Sequence, residues 1–310
     1  MSKLIKQAFT LIELLVVIAI IGILSGLIVI SMGGVTEKAT IAKAQVFSNS
    51  LRNSLLLNLV SEWKFDELSS ASNGTVIQDS WNGMTGTLVT DNTITEKLSS
   101  DCVSGKCITL DGTGDYISTG NNLNIGIDSF TWSFWAKTAV NSAPQSIVYR
   151  SATAVTGWVG VFYLPYSSTR NALFYITNGS YVNSSIFTYL NPYNNSSNSV
   201  DGKWHFFVGS CDRSQAKPPD VYLDGVLSNG SSSGYCNSLT TDIPSGALYF
   251  GTGYGYFNGS IDDARMYNVV LSTSQIKEQY YAGLNKMLNS GNIDKEEYIS
   301  RINNLIANNE

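Results

Sequence analysis

The spacing of apolar positions changes character along this 310-residue chain. From Leu14 to Met32 no charged side chain occurs. At about 1.5 Å per residue that run spans a bilayer core of about 30 Å as a single helix. Farther on, Ile41, Ala44, Phe47, Leu51, Leu55 and Leu59 recur at three- and four-residue steps, one stripe of an amphipathic helix. No proline interrupts residues 9–60. The pattern therefore predicts one helix on the order of 75 Å long, apolar on all sides over about residues 9–32 and one-sided beyond. Gly33-Gly34 is its weak point, at about 1 kcal/mol per glycine. From about Ser61 the runs become short and β-rich, with Gly, Asn and Ser turns between them: Glu62–Phe65, Cys107–Leu110, Phe130–Trp135, Val159–Tyr163, Ala172–Ile176, Trp204–Val208, Val221–Leu223 and Ala247–Phe250. In Phe130–Phe134 aromatics alternate with Thr131 and Ser133, as in a half-buried strand. Many short strands without helices between them predict an antiparallel β-sandwich or jelly roll. Ser272 and Gln275 then form a capping-box start for a closing helix through Tyr280. Beyond Gly283, Leu284, Met287 and Leu288, a second cap signal at Asp294 and Glu297, and the stripe Tyr298, Ile302, Leu305 and Ile306 predict a short helical hairpin. The expected fold class is α+β: a helix over 9–60, a sandwich over 61–283 and a helical tail over 284–310.

Glu13 stands at the margin of the lipid-soluble helix, where an unpaired charge costs about 2–3 kcal/mol or more. A cut between Ala8 and Phe9 would create a partner, since the new α-amine of Phe9 is a cation within reach of Glu13 on the same or a neighbouring subunit. The stretch Phe9-Thr-Leu-Ile-Glu13 followed by the apolar run resembles the N-terminus of type IV pilins and pseudopilins. The resemblance implies that residues 1–8 are a leader removed by a prepilin peptidase, that the Phe9 amine is then N-methylated, and that Glu13, fifth in the mature chain, serves filament assembly. Ala8 stands where the family usually has Gly. Lys3 and Lys6, with no charge beyond the run until Glu37, place the leader in the cytoplasm. Gly22 and Gly26 form a small-xxx-small pair that permits close helix approach. An ordinary membrane anchor would account for the hydrophobicity but not for Glu13 and the leader together. A secretory signal would need the small-x-small site Ala42-Lys43-Ala44, which lies well past a run already longer than the usual core of about 7–15 residues.

Charge is uneven: residues 1–60 carry +3, residues 61–283 carry −7 and the tail −1, giving the net −5. A mildly acidic, Asn/Ser/Gly/Tyr-rich ectodomain has no electrostatic footprint for nucleic acid. Four cysteines, Cys102, Cys107, Cys211 and Cys236, allow three pairings. The local pairs Cys102–Cys107 and Cys211–Cys236 bracket turn-like sequence, and neither has Cys-x-x-Cys spacing. His205 is the only histidine, so disulfides outside the cytoplasm are favoured over a metal site.

Within the sandwich the chain reads Trp63-Lys-Phe-Asp66-Glu67, Asp79-Ser-Trp-Asn-Gly83, Gly86-Thr-Leu88, Leu110-Asp-Gly-Thr-Gly-Asp115-Tyr116, Trp204-His205, Val221-Tyr-Leu-Asp-Gly225 and Phe257-Asn-Gly-Ser-Ile-Asp262-Asp263-Ala-Arg265-Met-Tyr267. In this order these motifs resemble the laminin-G-like, concanavalin A-like domains of bacterial surface proteins, with Ala264-Arg265 in place of the family's Val-Arg. The resemblance implies that such a domain often holds calcium. Asp66, Asp79, Asp262 and Asp263 are the candidate ligands, because first and last strands commonly neighbour in this fold and hard cations want several oxygens. Against this, Asp262 and Asp263 could cap a turn or pair with Arg265. A glycosidase would need two carboxylates about 5–9 Å apart. The sandwich holds only Glu62, Glu67, Glu96 and Glu278, none in a Glu-x-Asp-x-x-Glu pattern, and His205 follows Trp204 in a strand with no nucleophile elbow. No catalysis is expected. Glycan binding would use aromatic faces, with Tyr163, Tyr166, Tyr193, Tyr254 and Tyr256 as candidates, Phe257 beside them, and Gly253 and Gly255 allowing close approach. The sequons at Asn73, Asn178 and Asn229 reflect an Asn/Ser-rich surface.

These readings combine into a filament subunit: a precursor in the inner membrane, processed, polymerised with other pilin subunits and displaying its sandwich outside the cell. The expected role is adhesion through a glycan or a surface protein. The alternatives are a structural major pilin or secretion pseudopilin without a ligand and, more remotely, a tethered glycan-cleaving enzyme.

Overall fold

The structure is a computed structural model. It describes Ile18 and residues 55–307 other than 69–70, 92–100, 121–125, 127, 141–144, 151–158, 165–172, 178–184, 190–198, 229, 231, 240–245 and 254. The chain divides into two units, Met1–Ser54 and Leu55–Glu310. Ala8, Phe9 and Glu13, and the apolar run apart from Ile18, lie outside the described residues. Among those described, no helix is long and apolar enough to cross a membrane.

Leu56–Asn58 form a single 3-10 turn and β1 starts at Leu59, so strand already occupies residues 59 and 60, at the end of the range expected to be helical. Among the described residues the strands follow in the order β1 (Leu59–Trp63), β2 (Val76–Gln78), β3 (Thr85–Val89), β4 (Ile108–Asp111), β5 (Tyr116–Ser118), β6 (Phe130–Lys137), β7 (Gln145–Arg150), β8 (Val159–Leu164), β9 (Leu173–Thr177), β10 (Ser185–Tyr189), β11 (Trp204–Cys211), β12 (Asp220–Leu223), β13 (Val226–Leu227), β14 (Ser232–Ser233), β15 (Leu248–Phe250) and β16 (Asn258–Tyr267). Helices α1 (Thr273–Ser290) and α2 (Lys295–Ala307) close the chain.

The strands build two sheets. One has seven strands in the order β1-β16-β6-β11-β12-β13, with β4 also on β16; the other has nine, in the order β14-β10-β9-β8-β7-β15-β5-β3-β2. Their inner faces meet in one core. Trp132, Phe134, Phe207, Ile261 and Met266 come from the first sheet, and Ile77, Leu88, Ile117, Phe174, Ile176, Leu248 and Phe250 from the second. Trp63 and Phe65 meet Phe250 edge-on at 5.7 and 5.8 Å, a geometry that places ring edges against ring faces. The expected closure of first strand on last is present: Leu59 pairs with Tyr267, and Trp63 with Ala264.

Two expectations need correction. Strand β6 is not half-buried, for Phe130 to Ala136 are buried on both faces. The reason is α1, which lies over the outer side of the seven-stranded sheet. Tyr280 stacks on Trp135 at 5.5 Å, the Ser133 hydroxyl donates to Gln279, and Gly283 packs so closely that a Cβ there would lie 2.2 Å from Trp135 Cζ2. The closing helix also does not stop near Tyr280. It continues through residue 283, where a boundary was expected, to a left-handed cap at Gly291. Its start is as anticipated: Gln275 N donates to Ser272 Oγ, and the Gln275 side chain accepts from Ser272 N.

Candidate functional site

The four carboxylates expected to share a calcium each have protein partners. Asp66 Oδ1 accepts from Lys106 N, and Asp262 Oδ2 from Ser104 N, so both hold the loop closed by the Cys102–Cys107 disulfide. Asp79 Oδ1 accepts from Glu62 N, Trp81 N and Asn82 N, fastening the turn before β3 to β1. Asp263 lies at a bulge in β16 with φ +47° and receives Arg265 Nη2 at 3.1 Å and Lys286 Nζ at 2.9 Å. Burial raises the Asp263 pKa, but these two cations outweigh it and hold the carboxyl below the usual range. Burial and the charge of Asp263 push Asp262 the other way. A carboxylate already carrying two cations has little field left for a third, so Asp263 is satisfied by Arg265 and Lys286. The pairing of Asp263 with Arg265 is the alternative noted from the sequence. Arg265 Nε also donates to Glu62, at 2.8 Å.

Among the described residues, one acidic group does have metal-ligand spacing: Asp91, Asp111 and Asp115, whose ligand oxygens all lie within 4.8 Å of one another. Asp111 ends β4 in one sheet and Asp115 precedes β5 in the other. Gly112 and Gly114, at φ +85° and +84°, fold the link back so that its two ends meet. The sequence motif Asp111-Gly-Thr-Gly-Asp115 was visible; its third member, Asp91, was not, because only the β3–β5 pairing brings it there.

The aromatic surface sits elsewhere than expected. Tyr166, Tyr193 and Tyr254 lie outside the described residues, and Tyr163 falls on β8, paired with Ser146 and Leu173. Tyr256 is 43 % exposed and lies 6.4 Å from Tyr116. Tyr116 is 6.2 Å from Tyr249, which is 5.7 Å from Tyr149. These rings form a continuous row on the outer face of the nine-stranded sheet. Alternation puts them there: Ile117, Val148, Leu248 and Phe250 point into the core, so Tyr116, Tyr149 and Tyr249 point out. Tyr249 pairs directly with Tyr149. Half-buried Tyr175 and Phe187, paired across β9 and β10, stand on the same outward parity in the same sheet. Gly253 permits a close approach, though of chain to chain: a Cβ there would lie 2.8 Å from Ser146 Oγ and 3.2 Å from Tyr149 Cγ.

His205 on β11 is enclosed by two carboxylates, with Nδ1 2.7 Å from Asp224 and Nε2 3.0 Å from Asp201. Both disulfides expected from local pairing are present, Cys102–Cys107 and Cys211–Cys236.

Comparison with known proteins agrees with this architecture. Residues 111–277 match the profile of the concanavalin A-like lectin/glucanases superfamily in its laminin-G-like branch, and residues 5–29 match the prokaryotic N-terminal methylation motif. No curated protein matches the chain by sequence. Among solved structures, domain 4 of AbnA, an extracellular arabinanase of family GH43 from Geobacillus stearothermophilus solved with arabinotriose, is similar at 19 % identity and a TM-score of 0.52. That match covers 71 % of this chain and 97 % of the domain. The ligand binding domain of botulinum neurotoxin serotype D, solved with N-acetylneuraminic acid, is similar at 16 % identity and a TM-score of 0.55, covering 76 % of this chain and 53 % of that one. The binding domain of Paraclostridial Mosquitocidal Protein 1 has 17 % identity and a TM-score of 0.54, with 74 % and 53 % covered. The chain thus spans about half the length of the toxin domains, and at these identities the likeness is one of fold. The methylation motif implies a membrane-anchored precursor, other pilins and a prepilin peptidase. The chain belongs to the concanavalin A-like lectin/glucanases superfamily, with a pilin-type methylation motif at its N-terminus.

Proposed function

We propose that this protein is a pilin-like filament subunit whose sandwich binds carbohydrate outside the cell and so serves adhesion. The observation that carries the reading is the tyrosine row Tyr149–Tyr249–Tyr116–Tyr256 on one outer sheet face, while α1 covers β6 on the other. Flat aromatic faces with phenolic hydroxyls at their rims offer a sugar ring both an apolar platform and hydrogen bonds. The solved arabinotriose and N-acetylneuraminic acid complexes of the similar folds lend support, as does a methylation motif that implies export to a surface filament. Binding without turnover is the proposal, since the sandwich has few glutamates and two of them hold structural partners: Glu62 is bonded to Arg265 and Glu67 accepts from Gln78 N.

A glycan array probed with the native chain, and with a Tyr149→Ala/Tyr249→Ala variant, tests this. Wild type should bind a restricted set of glycans, and the variant should bind at least about tenfold more weakly with its fold intact, as expected when a stacking surface worth over 1.4 kcal/mol is removed. Failure of the wild type to bind any glycan would favour a structural subunit without a ligand. Hydrolysis of a bound glycan would overturn the non-catalytic reading.

A further inference from the structure

We propose that the tyrosine row takes one uncharged, unbranched glycan chain of several sugar units, laid across the strands and read along its length instead of at a terminal sugar. This rests on the carbohydrate reading above and names the class of ligand. The strand register sets the direction. Thr87 pairs with Ser118, Ser118 with Tyr249, and Tyr249 with Tyr149, so outward side chains stand abreast on the neighbouring strands β3, β5, β15 and β7. Neighbouring strands lie about 4.8 Å apart, so this line runs roughly 14 Å perpendicular to them. Tyr116, 6.2 Å from Tyr249, and Tyr256, 6.4 Å from Tyr116, widen it with aromatic surface. A site for a terminal sugar gathers its polar groups around one point. Here a ring or a hydroxyl recurs at each strand, as a ligand of repeating units requires.

The inclination of the rings selects a single chain over a flat surface. Tyr149 and Tyr249 are inclined at 30°, Tyr249 and Tyr116 at 54°, and Tyr116 and Tyr256 at 31°. Neighbouring strands turn by about 20–25° relative to each other, and rings carried on them turn as well. Rings so inclined share no plane and cannot lie flat together on a crystalline polysaccharide face, whereas a free chain can twist to follow them. Charge then selects among chains. Among the described residues, no half-buried or exposed position on β3, β5, β7 or β15 carries a charge. The phenolic and aliphatic hydroxyls suit sugar hydroxyls and offer no counter-charge to a carboxylate or sulfate. At the Tyr116 end the field is negative. Asp115 precedes Tyr116, and Asp91 lies two residues beyond Val89, the partner of Tyr116 on β3. Their oxygens and those of Asp111 lie within 4.8 Å of one another, so an anionic sugar meets like charge there.

Isothermal titration of the detergent-solubilised full chain tests the inference. The probes are cello-, xylo-, manno- and arabino-oligosaccharides from disaccharide to hexasaccharide, with oligogalacturonides as acidic counterparts. In the series that binds, the hexasaccharide should bind at least about tenfold more tightly than the disaccharide, and the acidic chain of equal length at least about tenfold more weakly. Raising the salt concentration should leave the neutral chain's affinity unchanged, since it has no charge to screen. Tyr256 is exposed at one end of the row, so Tyr256→Ala should fold and should weaken the hexasaccharide by a larger factor than the disaccharide. Equal affinity for disaccharide and hexasaccharide, or binding confined to acidic, branched or terminal sugars on the glycan array, would overturn the inference and leave carbohydrate binding standing. Binding of no glycan in either assay would overturn both.

Discussion

His205 shows how a single residue can hold an edge of the sandwich. Burial lowers its pKa, but Asp224 and Asp201, one on each ring nitrogen, outweigh that effect and raise it to about 9. A neutral imidazole has one N–H and can donate to only one of the two carboxylates; the imidazolium donates to both. Because the folded pKa is higher than the unfolded value of about 6.5, the stabilisation is complete below about pH 6.5 and disappears as pH rises through about 9. His205→Asn should therefore lose most relative to wild type near pH 6, and the difference between their urea midpoints should shrink by pH 10. A constant difference would show that packing, not charge, sets the role of His205. The sequence placed His205 in a strand, as a packing or hydrogen-bonding residue, yet neither carboxylate was legible. Asp224 follows β12 at φ +53°, and only the β11–β12 pairing brings it opposite the imidazole. The same limit explains the acidic residues: an aspartate is equally able to bind backbone N–H groups, as Asp79 does, cations, as Asp263 does, or a metal, and tertiary contacts decide among these.

Helix α1 illustrates what an element adds. Its capping box was legible because Ser272 and Gln275 lie one turn apart, but its far end was not, since Gly283 reads as a break. The glycine is instead a contact point under Trp135. Gly283→Ala thus sets better helix propensity, about 1 kcal/mol in its favour, against overpacking of about 1–3 kcal/mol. A Cβ 2.2 Å from an indole carbon on β6, a strand buried inside its sheet, makes the second effect larger. The variant should melt several degrees lower, and differential scanning calorimetry would measure it; an unchanged or higher melting temperature would mean that α1 can lift off Trp135. The tyrosine row was illegible for a related reason. Each strand shows its alternation, as in Tyr116-Ile-Ser118, but neighbours in the row come from β5, β7 and β15, and sequence order does not reveal that these strands adjoin.

At the scale of the whole molecule, the N-terminal motif and the ordered sandwich motifs were the most legible features, because each is set by local chemistry: an uncharged run long enough to cross a bilayer, and turns that need glycine. Mass analysis of the mature protein should find a chain starting at N-methylated Phe9. Glu13→Val should still insert and be cleaved after Ala8, yet fail to polymerise, since the Phe9 ammonium would lose its partner among apolar helices at about 3–5 kcal/mol per contact; normal filament yield from it would remove Glu13 from assembly. The pairing of β1 with β16 reaches further than the sheet it closes. Strand β1, emerging first from the ribosome, has β16 as its neighbour in the seven-stranded sheet, about 200 residues downstream, a separation that makes closure slow. Until Ile261–Tyr267 have been made, β1 has no partner in its sheet and is open to stray strands on both sides. A chain that ends before Ile261 lacks the strand on which β1 closes, so the seven-stranded sheet forms only once nearly the whole sandwich has been made.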